Sequence, residues 1–189
     1  MTKSNVYPSR RSVRLHECDY SQPGAYFVTI VTQKRQPLFG QIIDGEIALT
    51  EVGTMVTQAW IAIPEHFPNV ELSTFVVMPN HMHGIISISS QSVSTTNVAA
   101  RHAVPSNDST TEKFGKPVSC SLPTIIRSFK SATTRIFHMY AGYSEKNLWQ
   151  RNFYEHVIRN EQDYQAIIQY ILANPMNWEK DEEFFELKM

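Results

Sequence analysis

Hydrophobic residues in this chain repeat with two different periods, and the order in which those periods alternate limits the folds open to it. Ala25–Gln33 (AYFVTIVTQ) is rich in β-branched and aromatic residues and is expected to be a strand. Gln41–Leu49 suggests a short hairpin about Asp44-Gly45. After Thr50, the residues Val52, Met55, Val56, Ala59, Trp60 and Ile63 share one helical face, and Pro64 ends the pattern. Val70–Met78 is expected to be a second strand, Pro79-Asn80 a tight turn, and His81–Ile88 a third strand. Ile125, Ile126, Phe129, Ala132, Ile136 and Tyr140 then follow helical spacing over 122–140. Phe153–Ile158 is expected to be a fourth strand, and Glu161–Ala173 a last helix stopped before Pro175.

Strand, helix, strand, strand, helix, strand is the split βαβ order of ferredoxin-like α+β domains. The expected architecture is an antiparallel sheet of four to five strands with helices on one face, plus a C-terminal helix. That fold hosts many activities, so it does not choose among them. The expected domain spans 25–178, interrupted at 89–120 by a stretch of serine, threonine and asparagine that reads as a surface loop.

Residues 1–24 read as a basic arm and 179–189 as an acidic tail. Formal net charge is −1, but Lys3, Arg10, Arg11 and Arg14 crowd one end, while Glu179, Asp181, Glu182, Glu183 and Glu186 crowd the other. A basic arm touching phosphates fits this asymmetry, as do two merely solvated termini. Cys18 and Cys120 are too far apart to form a Cys-x-x-Cys motif, which points to a reducing cytoplasm. No signal-peptide core and no apolar run of membrane-spanning length occurs.

His81-Met82-His83 stands at the start of the third expected strand. Side chains alternate across a strand, so both imidazoles point one way, with Cα atoms about 7 Å apart. Neutral imidazoles so placed can reach one divalent ion, although two surface histidines would give the same pattern. On the last helix Tyr164, Ile167, Ile168, Ile171 and Leu172 form the apolar stripe. Tyr170 falls off that stripe, on the side of Asn174 one turn later. A phenol and an amide presented together suit a site, whereas a tyrosine covering the rim of the core is the structural alternative. Tyr154, on the fourth strand, is a competing tyrosine.

Three separated blocks carry a resemblance to a known family. Val76-Val77-Met78-Pro79-Asn80-His81-Met82-His83-Gly84-Ile85-Ile86 resembles the histidine–hydrophobe–histidine (HUH) segment of IS200-like, single-tyrosine transposases. Leu148–Arg159 and Tyr170-Ile171-Leu172-Ala173-Asn174-Pro175 are similar to their REP-associated branch, as are Arg10–Arg14 and Ala25–Ile30. The resemblance covers most of 10–178 and implies a ferredoxin-like fold. It implies Tyr170 as nucleophile and a divalent ion, Mg2+ or Mn2+, held by His81, His83 and Asn174. Asparagine at that last position is the REP-associated pattern, and glutamine is usual in the other branch. The implied activity is cleavage and rejoining of single-stranded DNA beside a hairpin through a 5′-phosphotyrosyl bond. The implied setting is cytoplasmic and nucleoid-associated, as a monomer or homodimer.

Other residues are assigned to the substrate from position alone. Arg127, Lys130, Ser131, Thr134 and His138 share the polar face of the second helix and form a candidate phosphate-tracking row. Arg10, Arg11 and Arg14 are candidates for a hairpin, and Trp149 for stacking on a base. Glu155 and His156 are candidate accessory groups, since no general base is evident. No phosphate-binding loop of the Gly-x-x-x-x-Gly-Lys-Ser/Thr type is present, consistent with strand exchange that conserves its phosphodiester. Two other readings fit the residues: a non-catalytic nucleic-acid-binding module, and a metal-dependent phosphodiesterase using water.

Overall fold

A computed structural model describes residues 22–90, 120–141 and 147–180. The arm and the tail, the polar stretch, and with them Arg10, Arg11 and Arg14, lie wholly or almost wholly outside the described residues. Among the described residues six strands and four α-helices follow in chain order: β1 (Gly24–Val31), β2 (Gly40–Ile43), β3 (Glu46–Leu49), α1 (Glu51–Ile61), α2 (Ile63–His66), β4 (Val70–Val77), β5 (His81–Ile88), α3 (Leu122–Ala141), β6 (Tyr154–Ile158) and α4 (Glu161–Ala173). A 3-10 segment, Pro175–Lys180, continues from α4.

Four strands make one sheet in the order β4-β5-β1-β6, and each neighbouring pair is antiparallel. This is the ferredoxin-like arrangement expected from the element order. The hairpin about Asp44-Gly45 exists, but β2 and β3 form a separate two-stranded sheet and not a fifth strand of the main one. Asp44 (φ 52°) and Gly45 (φ 80°) both take left-handed backbone, as a two-residue hairpin loop requires.

Register determines which side chain faces which layer. Tyr26, Val28 and Ile30 pair with Ile86, Gly84 and Met82. These residues face α1 and α3, meeting Val52, Val56 and Trp60 from one helix and Ile125, Ile126 and Phe129 from the other. The odd-numbered residues of β1 and β5 face the other way. There Phe27 and Ile85 meet Ile171, with Tyr164, Ile167 and Ile168 packed around them. The sheet is therefore covered on both faces, by α1 and α3 on one and by α4 on the other.

Local signals explain most boundaries. The Thr50 hydroxyl caps α1 by accepting from the Gly53 amide at 3.1 Å. The helix breaks at Ala62, and Pro64 sits in the first turn of α2, where a missing N–H costs nothing. Asn160 caps α4 by accepting from the Asp163 amide at 2.8 Å, with Glu161 and Asp163 in the first turn suiting the helix dipole. A register shift between Leu72 and Phe75 turns Ser73 toward α4, where its hydroxyl meets that of Tyr164 at 2.6 Å.

Two apolar stripes differ in detail from the periodicity. On α3 Phe137 is buried and Tyr140 is exposed, so the buried row bends toward Thr133 and Phe137. On α4 Leu172 is exposed, because only a narrow band of that helix touches the sheet.

Gly84 is required by close approach. A Cβ there would lie 2.5 Å from Trp60 Cζ2, and the Trp60 ring is wedged against Phe75 and Phe129. Gly84→Ala is expected to cost about 1–3 kcal/mol through overpacking. The check is a thermal melt, with a fall of about 2–4 °C per kcal/mol for a domain of this size.

Candidate active site

The histidine pair is built by a hairpin turn that neighbouring backbone holds in place. The Met78 amide donates to the His81 carbonyl at 2.8 Å across Pro79-Asn80. The Asn80 carbonyl accepts from the Thr32 amide at 2.8 Å and from the Thr32 hydroxyl at 2.9 Å. The Pro79 carbonyl accepts from the Phe39 amide at 3.0 Å. The turn leaves little freedom, and β5 begins with both imidazoles on the α4 face.

Both rings are buried, His81 at 0% and His83 at 3% exposure. Their Nε2 atoms face each other at 3.0 Å. His81 Nδ1 lies 2.8 Å from Asn80 Oδ1, and His83 Nδ1 lies 2.8 Å from Thr29 Oγ1. An Nδ1–H held on an oxygen leaves Nε2 with its lone pair, which is the arrangement of a metal-ligating histidine. Without an ion, one Nε2 must donate to the other, and the Thr29 hydroxyl can serve either tautomer of His83 because it both donates and accepts. Burial, and the positive Arg35 beside it, push the His81 pKa down to about 3. His81 is therefore neutral at physiological pH, the form that binds metal.

The donor set fits a divalent ion. The two Nε2 atoms converge from neighbouring positions on one strand face, and as neutral imidazole nitrogens they would hold such an ion together. Among the described residues no three His, Cys, Asp or Glu side chains cluster to hold a metal.

Helix α4 and the 3-10 segment that follows it each bring one ring to this pair. The Tyr170 hydroxyl is 3.3 Å from His83 Nε2, and the two rings are 5.2 Å apart. Eight residues later the Trp178 ring lies 5.9 Å from that of His81. Asn174, the C-cap of α4 between them in sequence, is buried at 3% exposure. Tyr170 is 48% exposed, and its ring also meets that of Phe27 (centroids 6.0 Å apart, 85°). The Phe27 ring stacks on His83 at 5.4 Å.

Sequence reasoning missed Thr29, Asn80, Phe27, Trp178 and Arg35. Extending the 170, 174 spacing by one more turn would have reached Trp178, but Pro175 hid that continuation. Thr29 and Phe27 become visible only through strand register, which local periodicity does not contain.

Several sequence-assigned residues lie elsewhere. Trp149 is no stacking platform: it is 5% exposed, packs on Phe39 and Phe129, and donates from Nε1 to the Thr133 hydroxyl at 2.8 Å. Lys130 is turned inward, donating to the carbonyls of Gln150, Arg151 and Asn152. The Thr134 hydroxyl donates to the Lys130 carbonyl at 2.7 Å within its own helix. Arg127 is exposed on α3, across the sheet from the histidines. The row on α3 therefore does not line the histidine site.

Glu155 pairs with Val28 in the register and faces the α1 and α3 layer, away from the site. His156 pairs with Phe27 on the histidine face, where its Nε2 meets Asp163 Oδ2 at 2.9 Å. The hydrogen bond from His156 holds the Asp163 carboxyl below its usual range. Tyr154 is on the histidine face and exposed.

Lys130 acts on structure. Burial pushes its ammonium down to about 8, so it still carries its proton at neutral pH and binds the three carbonyls before β6. Lys130→Met is expected to cost about 1.5–3 kcal/mol, in the range of hydrogen bonds to a charged donor. Hydrogen exchange should accelerate in residues 150–153 in that variant. Unchanged exchange there would count against the clamp.

No family model matches the chain. A Haemophilus influenzae protein described only as uncharacterized is 38% identical over 182 residues, covering 94% of this chain and 94% of its own. The Escherichia coli K12 REP-associated tyrosine transposase is 26% identical over 157 residues, covering 83% of this chain and 69% of its own. Among solved structures, a REP-associated tyrosine transposase bound to a REP hairpin aligns with a TM-score of 0.56 and 25% identity. That alignment covers 87% of this chain and 74% of the other.

Proposed function

The chain belongs to the REP-associated tyrosine transposases, a branch of the IS200-like family, and from that premise we propose that it breaks and rejoins single-stranded DNA with Tyr170 as nucleophile. The proposed domain is 25–178. The proposed ligands of a divalent ion, Mg2+ or Mn2+, are His81, His83 and Asn174. The observation that carries this reading is the 3.3 Å approach of the Tyr170 hydroxyl to His83 Nε2 within a single chain.

A phenol with a pKa near 10 is a weak nucleophile at neutral pH, so it needs a partner that favours its ionised form. A bound divalent ion would supply Lewis-acid stabilisation of the scissile phosphate and of the phenolate. The chain's own residues do the positioning. Thr29 and Asn80 fix both imidazoles through Nδ1. Phe27 supports His83 on one side and the edge of Tyr170 on the other, which limits where the hydroxyl can travel.

In the proposed step the Tyr170 oxygen forms a bond to phosphorus as the P–O3′ bond breaks. The phenol loses its proton, the departing 3′-oxygen gains one, and the 5′-phosphate remains on the tyrosine. Attack by a second 3′-hydroxyl on the phosphotyrosyl bond reverses the step and joins strands. One phosphodiester is made for each one broken, so no nucleotide hydrolysis is needed.

The proposed substrate is a hairpin with an adjoining single strand, as the hairpin-bound relative suggests. The test is incubation with a labelled hairpin oligodeoxynucleotide and Mn2+, followed by a denaturing gel. The fragment on the 3′ side of the cut is expected to carry the protein on its 5′-phosphate, and the other fragment to end in a free 3′-hydroxyl. Binding without cleavage would favour a non-catalytic module, and cleavage without a protein-linked product would favour attack by water. No helix among the described residues is long and apolar enough to cross a membrane.

A further inference from the structure

Tyr154 is a large aromatic side chain at the rim of the site, and the reaction as described leaves it without a role. It begins β6, an edge strand, so nothing in the sheet covers its outer side. Its Cα pairs with Thr29, and Thr29 pairs with His83, so the three residues form one row across the sheet. Two strand spacings separate the ends of that row, about 10 Å between the Cα atoms of Tyr154 and His83. Paired residues in an antiparallel sheet project to the same face, so the Tyr154 ring rises on the side that carries the histidines.

The aromatic neighbours make this more than an isolated exposed ring. Phe27 sits between the two tyrosines, its ring 6.5 Å from Tyr154 at 70° and 6.0 Å from Tyr170 at 85°. Edge contacts of this kind brace a ring and leave its flat face available. Tyr154 stays 54% exposed, comparable to the 48% of Tyr170. Arg151, exposed three residues earlier, adds a positive charge on the approach to β6. A braced, exposed aromatic ring with a cation three residues away in the chain suits an unpaired base and its phosphate.

We propose that Tyr154 is a platform on which a base of the single strand stacks, next to the phosphate attacked by Tyr170. This rests on the reading that the chain processes single-stranded DNA. A stacked strand advances about 3.4 Å per nucleotide, so the base in question lies within roughly three nucleotides of the cleaved phosphate.

The test uses the full chain in a Tyr170→Phe background, so that binding is measured without cleavage. Hairpin oligodeoxynucleotides would carry 2-aminopurine, one at a time, at each of the three positions on either side of the cleaved phosphate. At one position binding should quench the fluorophore, and Tyr154→Ala should remove that quenching and weaken binding roughly 5- to 150-fold, the range for loss of one base–aromatic stack. Tyr154→Phe should keep both signals, because a phenyl face also stacks. Thermal melts of each variant would identify a loss caused by misfolding.

Equal affinity and quenching in Tyr154→Ala would overturn the platform and leave the functional reading intact. Loss in Tyr154→Phe as deep as in Tyr154→Ala would overturn it too, since the hydroxyl and not the ring would then matter. Failure of the unaltered chain to bind single-stranded DNA would overturn the functional reading, and the platform with it.

Discussion

Tyr170→Phe is expected to abolish the covalent protein–DNA product while leaving the fold and hairpin binding in place. The change removes one hydroxyl from a half-exposed ring, so the packing against Phe27 and His83 survives and stability should move by less than about 1 kcal/mol. Loss of a nucleophile costs far more than that in rate: removal of an essential nucleophile typically lowers turnover by about 10³-fold or more. A denaturing gel with labelled hairpin DNA reads the adduct, and a binding assay on the same oligonucleotide reads retention. Cleavage that persists at the original rate would transfer the role from Tyr170 to water.

His83→Ala is expected to remove both metal response and cleavage. His83 Nε2 faces His81 Nε2 and the Tyr170 hydroxyl, so its loss takes away a proposed ligand and the neighbour of the proposed nucleophile together. An ion that binds the folded state alone stabilises it by about 2.7 kcal/mol at a hundredfold excess over its Kd. For a domain of this size that corresponds to roughly 5–10 °C in Tm on adding Mn2+. The increment should vanish in His83→Ala, and strand cleavage should fall by about 10³-fold or more. A manganese-induced shift of undiminished size in His83→Ala would rule this pair out as the metal site. His81→Ala serves as the partner measurement, with the same expected loss.

Much of this arrangement is legible in the chain because alternation and helical spacing are local properties. The element order gave the sheet its expected antiparallel topology, and the placement of Tyr170 off the apolar stripe of α4 matches its approach to His83. The limit is that periodicity separates two faces of an element without saying what lies opposite either of them. Lys130 belongs to the candidate phosphate-tracking row of the sequence, yet its long stem carries the ammonium back to three carbonyls before β6. Trp149 has no periodic neighbours to mark it as buried, and only the tertiary approach of Phe39 and Phe129 encloses it. Glu155 and His156 are adjacent in sequence and therefore face opposite layers, so at most one of them could meet the site.

The alternation along β5 has a consequence for how the two halves of the site move. Met82, Gly84 and Ile86 are packed into the larger core, while His81 and His83 stand between them on the reverse side. A slip of one residue would exchange the two sets, so the pairing that fills the core is also the pairing that aims the imidazoles. The histidine amides should therefore exchange with solvent only when the whole domain opens. Helix α4 rests on a much smaller apolar cluster and on side-chain tethers that include Ser73 to Tyr164, His156 to Asp163 and His83 to Tyr170. Its amides should open at a lower free energy. One half of the site has the cooperativity of the entire fold, and the half bearing the tyrosine has the stability of a single docked helix.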